Sequence, residues 1–162
     1  MKKFFYLLIF SAFVFSCGLL NSTTPEEEAA QAAEVSSALK AGEFVIDINT
    51  IYPQIGMAIH DNGYDLVVKD GEITGVLPFF GTSDTPIFGP ESAGIELDKC
   101  PVKIKNKKVK DGRELSFTAV SSNNDKWDFT ITVWSDGTCN LTCFCSSKSI
   151  MRYDGRLSKL SD

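Results

Sequence analysis

Five Asn-Gly or Asp-Gly pairs punctuate the chain: Asn62-Gly63, Asp70-Gly71, Asp111-Gly112, Asp136-Gly137 and Asp154-Gly155. Such pairs tolerate positive φ and therefore suit tight hairpin turns. Between and around them lie short runs rich in Val, Ile, Thr, Phe and Trp: EFVIDI, YDLVVK, EITGVL, AGIELD, VKIKNKKV, ELSFTAV, WDFTITVW and TCNLTCFC. Each reads as a strand. Eight strands at this spacing point to an all-β antiparallel barrel or sandwich.

The hairpin WDFTITVWSDGTCNLTCFC fixes its own register. Trp127, Phe129, Ile131 and Val133 hold alternate positions of the first run, and Cys139, Leu141, Cys143 and Cys145 hold alternate positions of the second. A two-residue turn at Asp136-Gly137 would put the two apolar sets on opposite faces. A three-residue loop, Ser135-Asp136-Gly137, puts both on one face and is the predicted connection, because a one-residue slip turns every side chain over.

Ahead of the strands, TPEEEAAQAAEVSSALKAG reads as one helix. Thr24 caps it and Pro25 takes the first helical position, where its missing N–H costs nothing. Glu26, Glu27 and Glu28 face the positive end of the helix dipole, and Gly42 ends the helix. Its apolar face is thin, chiefly Ala33, Val35 and Leu39. A stalk or a lightly docked helix is expected.

The N-terminus carries an address. Phe4 to Phe15 is an uncharged, mostly apolar run behind Lys2 and Lys3. It is too short to span a bilayer, which takes about 20 residues. A basic start, a short apolar stretch and a small residue before the cut describe a secretory signal peptide. Val14-Phe15-Ser16-Cys17 resembles the bacterial lipobox, in which signal peptidase II cuts before the cysteine and its thiol carries diacylglycerol. The expected organisation is a signal peptide over 1–16 and a lipidated tether and helix over 17–42. The all-β domain, barrel or sandwich, follows over 43–162. Cleavage falls between Ser16 and Cys17, Cys17 is the lipidation site, and the protein sits on the outer membrane through that anchor, facing periplasm or cell surface.

Without Lys2 and Lys3 the 16 basic residues become 14 against 21 acidic ones, a formal charge of −7. Phosphate backbones are repelled by such a balance, so no nucleic-acid partner is expected. The basic run KIKNKKVK, residues 103–110, stands out in this acidic chain. Lysines of this kind block edge-to-edge pairing when they lie on an edge strand; contact with anionic lipid or polysaccharide is the other reading.

Catalytic chemistry has little to work with. Nucleophilic catalysis needs a nucleophile, a base and an orienting group. His60 is the one histidine and sits beside the apparent turn Asp61-Asn62-Gly63. There is no Gly-x-Ser-x-Gly elbow, phosphate loop or His-Glu-x-x-His helix. Cys100, Cys139, Cys143 and Cys145 admit three uses: core packing, a disulfide, or zinc ligation. Packing is favoured, because three of them share the apolar face of one strand. No enzyme activity, catalytic residue, metal or cofactor is expected.

The stretch ITGVLPFFGTSDTPIFGPESAGIELD carries a specific resemblance. Leu77-Pro78-Phe79-Phe80-Gly81, preceded by Gly71-Glu72 and followed by Gly89, Gly94 and Ile95, resembles the domain-of-unknown-function family 4251 of small Bacteroidetes lipoproteins. Tyr153 and Gly155 match its C-terminal Tyr-x-Gly, and Phe79 stands where the family usually has tyrosine. The resemblance covers about residues 43–160. It implies a lipocalin-like antiparallel barrel and no known activity.

Two functional readings follow. A barrel of about eight strands is either filled by side chains or holds one small ligand. In the first reading a small apolar or amphipathic ligand enters at the end marked by Phe79, Phe80 and Phe88, beside the long loop from Phe80 to Ala93. In the second the barrel is filled and the domain is a subunit or spacer of an envelope assembly. An exposed aromatic patch over a packed interior would favour the second.

Overall fold

A computed structural model describes residues 24–83 and 94–160. The leader, Ser16, Cys17 and Phe88 lie outside the described residues. The helix α1 (Pro25–Ala41) is built as its sequence dictates. The Thr24 hydroxyl accepts the Glu27 N–H at 3.3 Å, and the Glu27 carboxylate accepts the Thr24 N–H at 2.9 Å. This reciprocal box satisfies two of the donors a helix start leaves open. Gly42, left-handed at φ 73°, donates to Ala38 O at 2.9 Å and stops the helix. The docked face is Val35, Ala38 and Leu39. Ala33 points to solvent instead; the i, i+3, i+4 spacing belongs to Ala38.

Nine antiparallel strands follow: β1 (Phe44–Tyr52), β2 (Ile59–Lys69), β3 (Glu72–Pro78), β4 (Gly94–Pro101), β5 (Lys105–Val109), β6 (Gly112–Val120), β7 (Lys126–Trp134), β8 (Thr138–Cys145) and β9 (Lys148–Lys159). The sheet order is β4-β3-β2-β1-β9-β8-β7-β6-β5. The fold is thus the expected antiparallel, barrel-like sheet behind one helix, curled into a half-barrel. Its edges, β4 and β5, are consecutive in sequence but unpaired. The curl brings β4 over the end of β6, where Ser122 N–H donates to Glu96 O at 2.9 Å and the Cys100 thiol to Val120 O at 3.1 Å. β5, with its exposed lysines, is an edge strand.

The β7–β8 hairpin has the predicted register. Phe129 faces Cys143, Ile131 faces Leu141 and Val133 faces Cys139. The loop is Ser135-Asp136-Gly137, with Gly137 left-handed at φ 81° and its N–H on Trp134 O. A side chain at Gly137 would meet Leu157 O, and Val35 of α1 lies just above it. The same glycine therefore turns the hairpin and lets the helix approach.

The ninth strand is the main correction. Asp154-Gly155 is no turn; it lies mid-strand in β9, between β1 and β8. β1 shifts register there, from Ile48 opposite Gly155 to Thr50 opposite Asp154. A Cβ on Gly155 would collide with the Asp47 carbonyl, so the glycine serves a close backbone approach inside the sheet. Asn62-Gly63 is likewise inside a strand. Residues 61–63 bulge opposite Asn49, and His60 beside them touches the Thr50 hydroxyl at 3.2 Å. The β5–β6 turn is Lys110-Asp111, one residue earlier than its Asp-Gly pair.

One apolar cluster fills the concave side, fed by α1 and every strand except β5. Phe117 stacks on Phe129 with centroids 4.9 Å apart. The four described cysteines are free and buried. Burial pushes the Cys139 thiol up to about 12 and Cys143 well above the usual thiol range, so both pack as small apolar groups.

Candidate functional site

The end of the half-barrel reached by Leu77-Pro78-Phe79-Phe80-Gly81 is built by a short crossing of the chain. Pro78 ends β3 because it brings no N–H to a ladder. The segment then runs over the barrel end as a strap. Its Phe80 carbonyl accepts the Gln54 N–H at 3.2 Å, and its Thr82 carbonyl accepts the Ser149 N–H at 2.9 Å. Ser83 bridges to Lys148. Gln54, Thr82 and Ser149 close a side-chain network, with Ser149 Oγ 2.7 Å from both Gln54 Oε1 and Thr82 Oγ1. Beneath, the buried Tyr153 hydroxyl donates to Pro78 O at 2.8 Å. Burial raises that phenol far above the usual tyrosine range. The C-terminal tyrosine and the Leu-Pro-Phe-Phe-Gly element are thus two halves of one contact.

Phe79 and Phe80 point opposite ways, as an extended chain requires. Phe79 is buried edge-on to Trp127, with centroids 5.9 Å apart. Lys148 Nζ lies 5.6 Å above the Phe79 ring and 5.7 Å above Trp127, and it pairs with Asp125. The Lys148 side chain is only 5% exposed. The Trp127 Nε1–H is buried with no hydrogen-bond partner among the described residues. Among the described residues Phe79 is therefore part of the packed core.

Phe80 faces solvent and has apolar company. Ile55 and Met57 of the β1–β2 connection are 84% and 87% exposed. Tyr52, Phe144 and Ile150 are exposed at the same end. Tyr52 lies opposite Arg152 in the β1–β9 ladder, and Phe144 and Ile150 sit between the pairs Cys143–Met151 and Cys145–Lys148. The Tyr52 hydroxyl donates to Asp154 at 2.5 Å, and this bond is the main reason its pKa is raised. Sequence reasoning located this end through Phe79 and Phe80 but missed Ile55, Met57, Phe144 and Ile150. For Phe144 the signal was present: it occupies the outward phase of the TCNLTCFC strand.

Two clefts lie elsewhere. One, about 630 Å³, follows the seam where the β4–β5 link passes Phe117 and Phe129. The other, about 410 Å³, lies at the opposite end, between α1 and the β5–β6 hairpin. Neither is lined by Phe79 or Phe80. Among the described residues, no three His, Cys, Asp or Glu side chains group as a metal site.

No curated protein matches the sequence. A crystal structure of a DUF4251 family protein from Bacteroides eggerthii shares the fold at 20% identity and a TM-score of 0.55, over 82% of this chain and 91% of that one. The sequence also matches the family described as a domain of unknown function (DUF4251) over residues 26–157. That span runs from the first turn of α1 almost to the end of β9 and includes both halves of the strap contact, so the chain belongs to the DUF4251 family.

Proposed function

We propose that this is a lipid-anchored bacterial envelope domain, acylated at Cys17 and held at the outer membrane, that acts through its surface and not through catalysis. The observation that carries the reading is the exposed apolar end. Tyr52, Ile55, Met57, Phe80, Phe144 and Ile150 are each exposed at that end, and the interior behind them is packed. Apolar patches of this kind on a soluble fold mark interaction surfaces, and a tyrosine with a polar handle suits a protein partner. The net acidic mature chain disfavours an anionic lipid surface as the occupant. The packed interior supports the filled-barrel reading over a ligand held inside the barrel. The non-catalytic reading draws support from where the nucleophiles are spent: the four described thiols are buried, burial pushes those of Cys139 and Cys143 up, and Tyr153 is tied to the strap.

A photo-crosslinking residue at Met57, in cells making the protein from its own leader, tests this. The expected result is a discrete protein adduct that is absent when the probe sits at Lys107 on the β5 edge. The adduct should also be lost from the membrane fraction of Cys17→Ala. Lipid adducts alone at Met57, or equal adducts at both positions, would overturn the reading.

A further inference from the structure

The cleft at the helix end has a chemistry of its own. Its floor is apolar: Val35 and Leu39 from α1, Val109 from β5, and Val133 and Trp134 from β7. Its rim is cationic. Lys40, Lys108, Lys110 and Arg113 line it against a single carboxylate, Asp111. Lys108 and Arg113 are direct cross-strand partners in the β5–β6 ladder. Like charges placed opposite each other destabilise a sheet. Among the described residues none of these four cations has an ion pair; Arg113 bonds only the Asn106 side-chain oxygen, at 3.3 Å. An acidic protein thus gathers four cations and one carboxylate around one apolar hollow. The C-terminal end of α1 contributes partial negative charge there, which Lys40 offsets.

We propose that this cleft binds a free single-chain amphipathic carboxylate of the fatty-acid class, its chain on the apolar floor and its carboxylate between Lys108 and Arg113. The volume, about 410 Å³, falls inside the roughly 300–1,000 Å³ of small-molecule sites. A carboxylate between two guanidinium or ammonium groups makes charge-assisted hydrogen bonds and removes the cross-strand repulsion. An uncharged chain would gain only the floor, and a bare anion only the rim. The site lies outside the filled barrel and does not depend on the apolar end being an interface.

The test is a titration of the mature-length chain (residues 17–162, Cys17→Ser) with octanoate below its micellar concentration, followed by amide chemical shifts and Trp134 emission. The expected result is saturable binding, with shifts confined to α1, the β5–β6 turn and the end of β7. 1-Octanol should bind at least about tenfold more weakly, and so should octanoate to the Lys108→Gln, Lys110→Gln double variant, whose lysines are both exposed; tenfold corresponds to about 1.4 kcal/mol. Inorganic phosphate should not compete. Octanol binding as well as octanoate, an unaffected double variant with native shifts, or no saturation by native protein would each overturn the proposal.

Discussion

The two ends of the half-barrel are closed by unlike means. At one end a five-residue strap crosses the opening and is pinned by a large aromatic, an ion pair and a hydroxyl network. At the other a seventeen-residue helix rests on the sheet through Val35, Ala38 and Leu39. The short element buries an aromatic ring, and the long one buries only Val35, Ala38 and part of Leu39. Length of secondary structure is a poor guide to where a fold is held; the area removed from water decides. The difference also sorts the surfaces. The strap end is sealed and presents apolar side chains outward, whereas the helix end leaves a hollow.

The sharpest way to break this comparison is to truncate each anchor. Phe79→Ala removes a buried ring from beneath Trp127 and Lys148 and should cost about 3–5 kcal/mol in denaturant unfolding. Val35→Ala removes two methyl groups under the helix and should cost about 1.5 kcal/mol. Equal losses would show that the helix is as deeply seated as the strap.

A smaller effect sharpens the account of the strap end. Asp125→Ala leaves Lys148 buried without its partner and should cost about 3 kcal/mol, the low end for a buried pair because Asp125 keeps some solvent contact. Adding Lys148→Met should restore much of that loss, since an apolar chain fits between Phe79 and Trp127. If the double variant is no better than the single one, the lysine's cation contributes through the rings and not only through Asp125.

How far the sequence foretold this depended on how local each signal was. The β7–β8 hairpin was legible to the residue because Trp127 to Val133 and Cys139 to Cys145 alternate cleanly and only one loop length puts both sets inside. β9 alternates as well, with Met151, Tyr153, Gly155 and Leu157 all inward. It was hidden because Asp154-Gly155 has the chemistry of a turn, and nothing local tells a hairpin glycine from one pressed against the Asp47 carbonyl. The opposed pair Phe79 and Phe80 was readable from extended geometry alone. The cleft under α1 was not. Its floor joins α1, β5 and β7, and its rim pairs Lys108 with Arg113, neighbours created by the hairpin and the docked helix.

The smallest expected effect tests whether the helix end is held only by its C-terminal half. Val35, Ala38 and Leu39 all lie beyond the midpoint of α1, so its first turns have no core contact and depend on their cap. Thr24→Ala opens the reciprocal box with Glu27 and should cost about 1 kcal/mol of helix stability at most. Because the capped turn can fray without undocking Val35, most of that cost should appear locally. Amide exchange at Glu27 and Glu28 should quicken about fivefold, the equivalent of 1 kcal/mol. Exchange at Leu39 and across the sheet should not change, and the denaturant midpoint should barely move. Faster exchange at Leu39 would mean that α1 docks as one rigid rod. The cap would then help hold the wall of the cleft, and the two ends would differ less than their contacts imply.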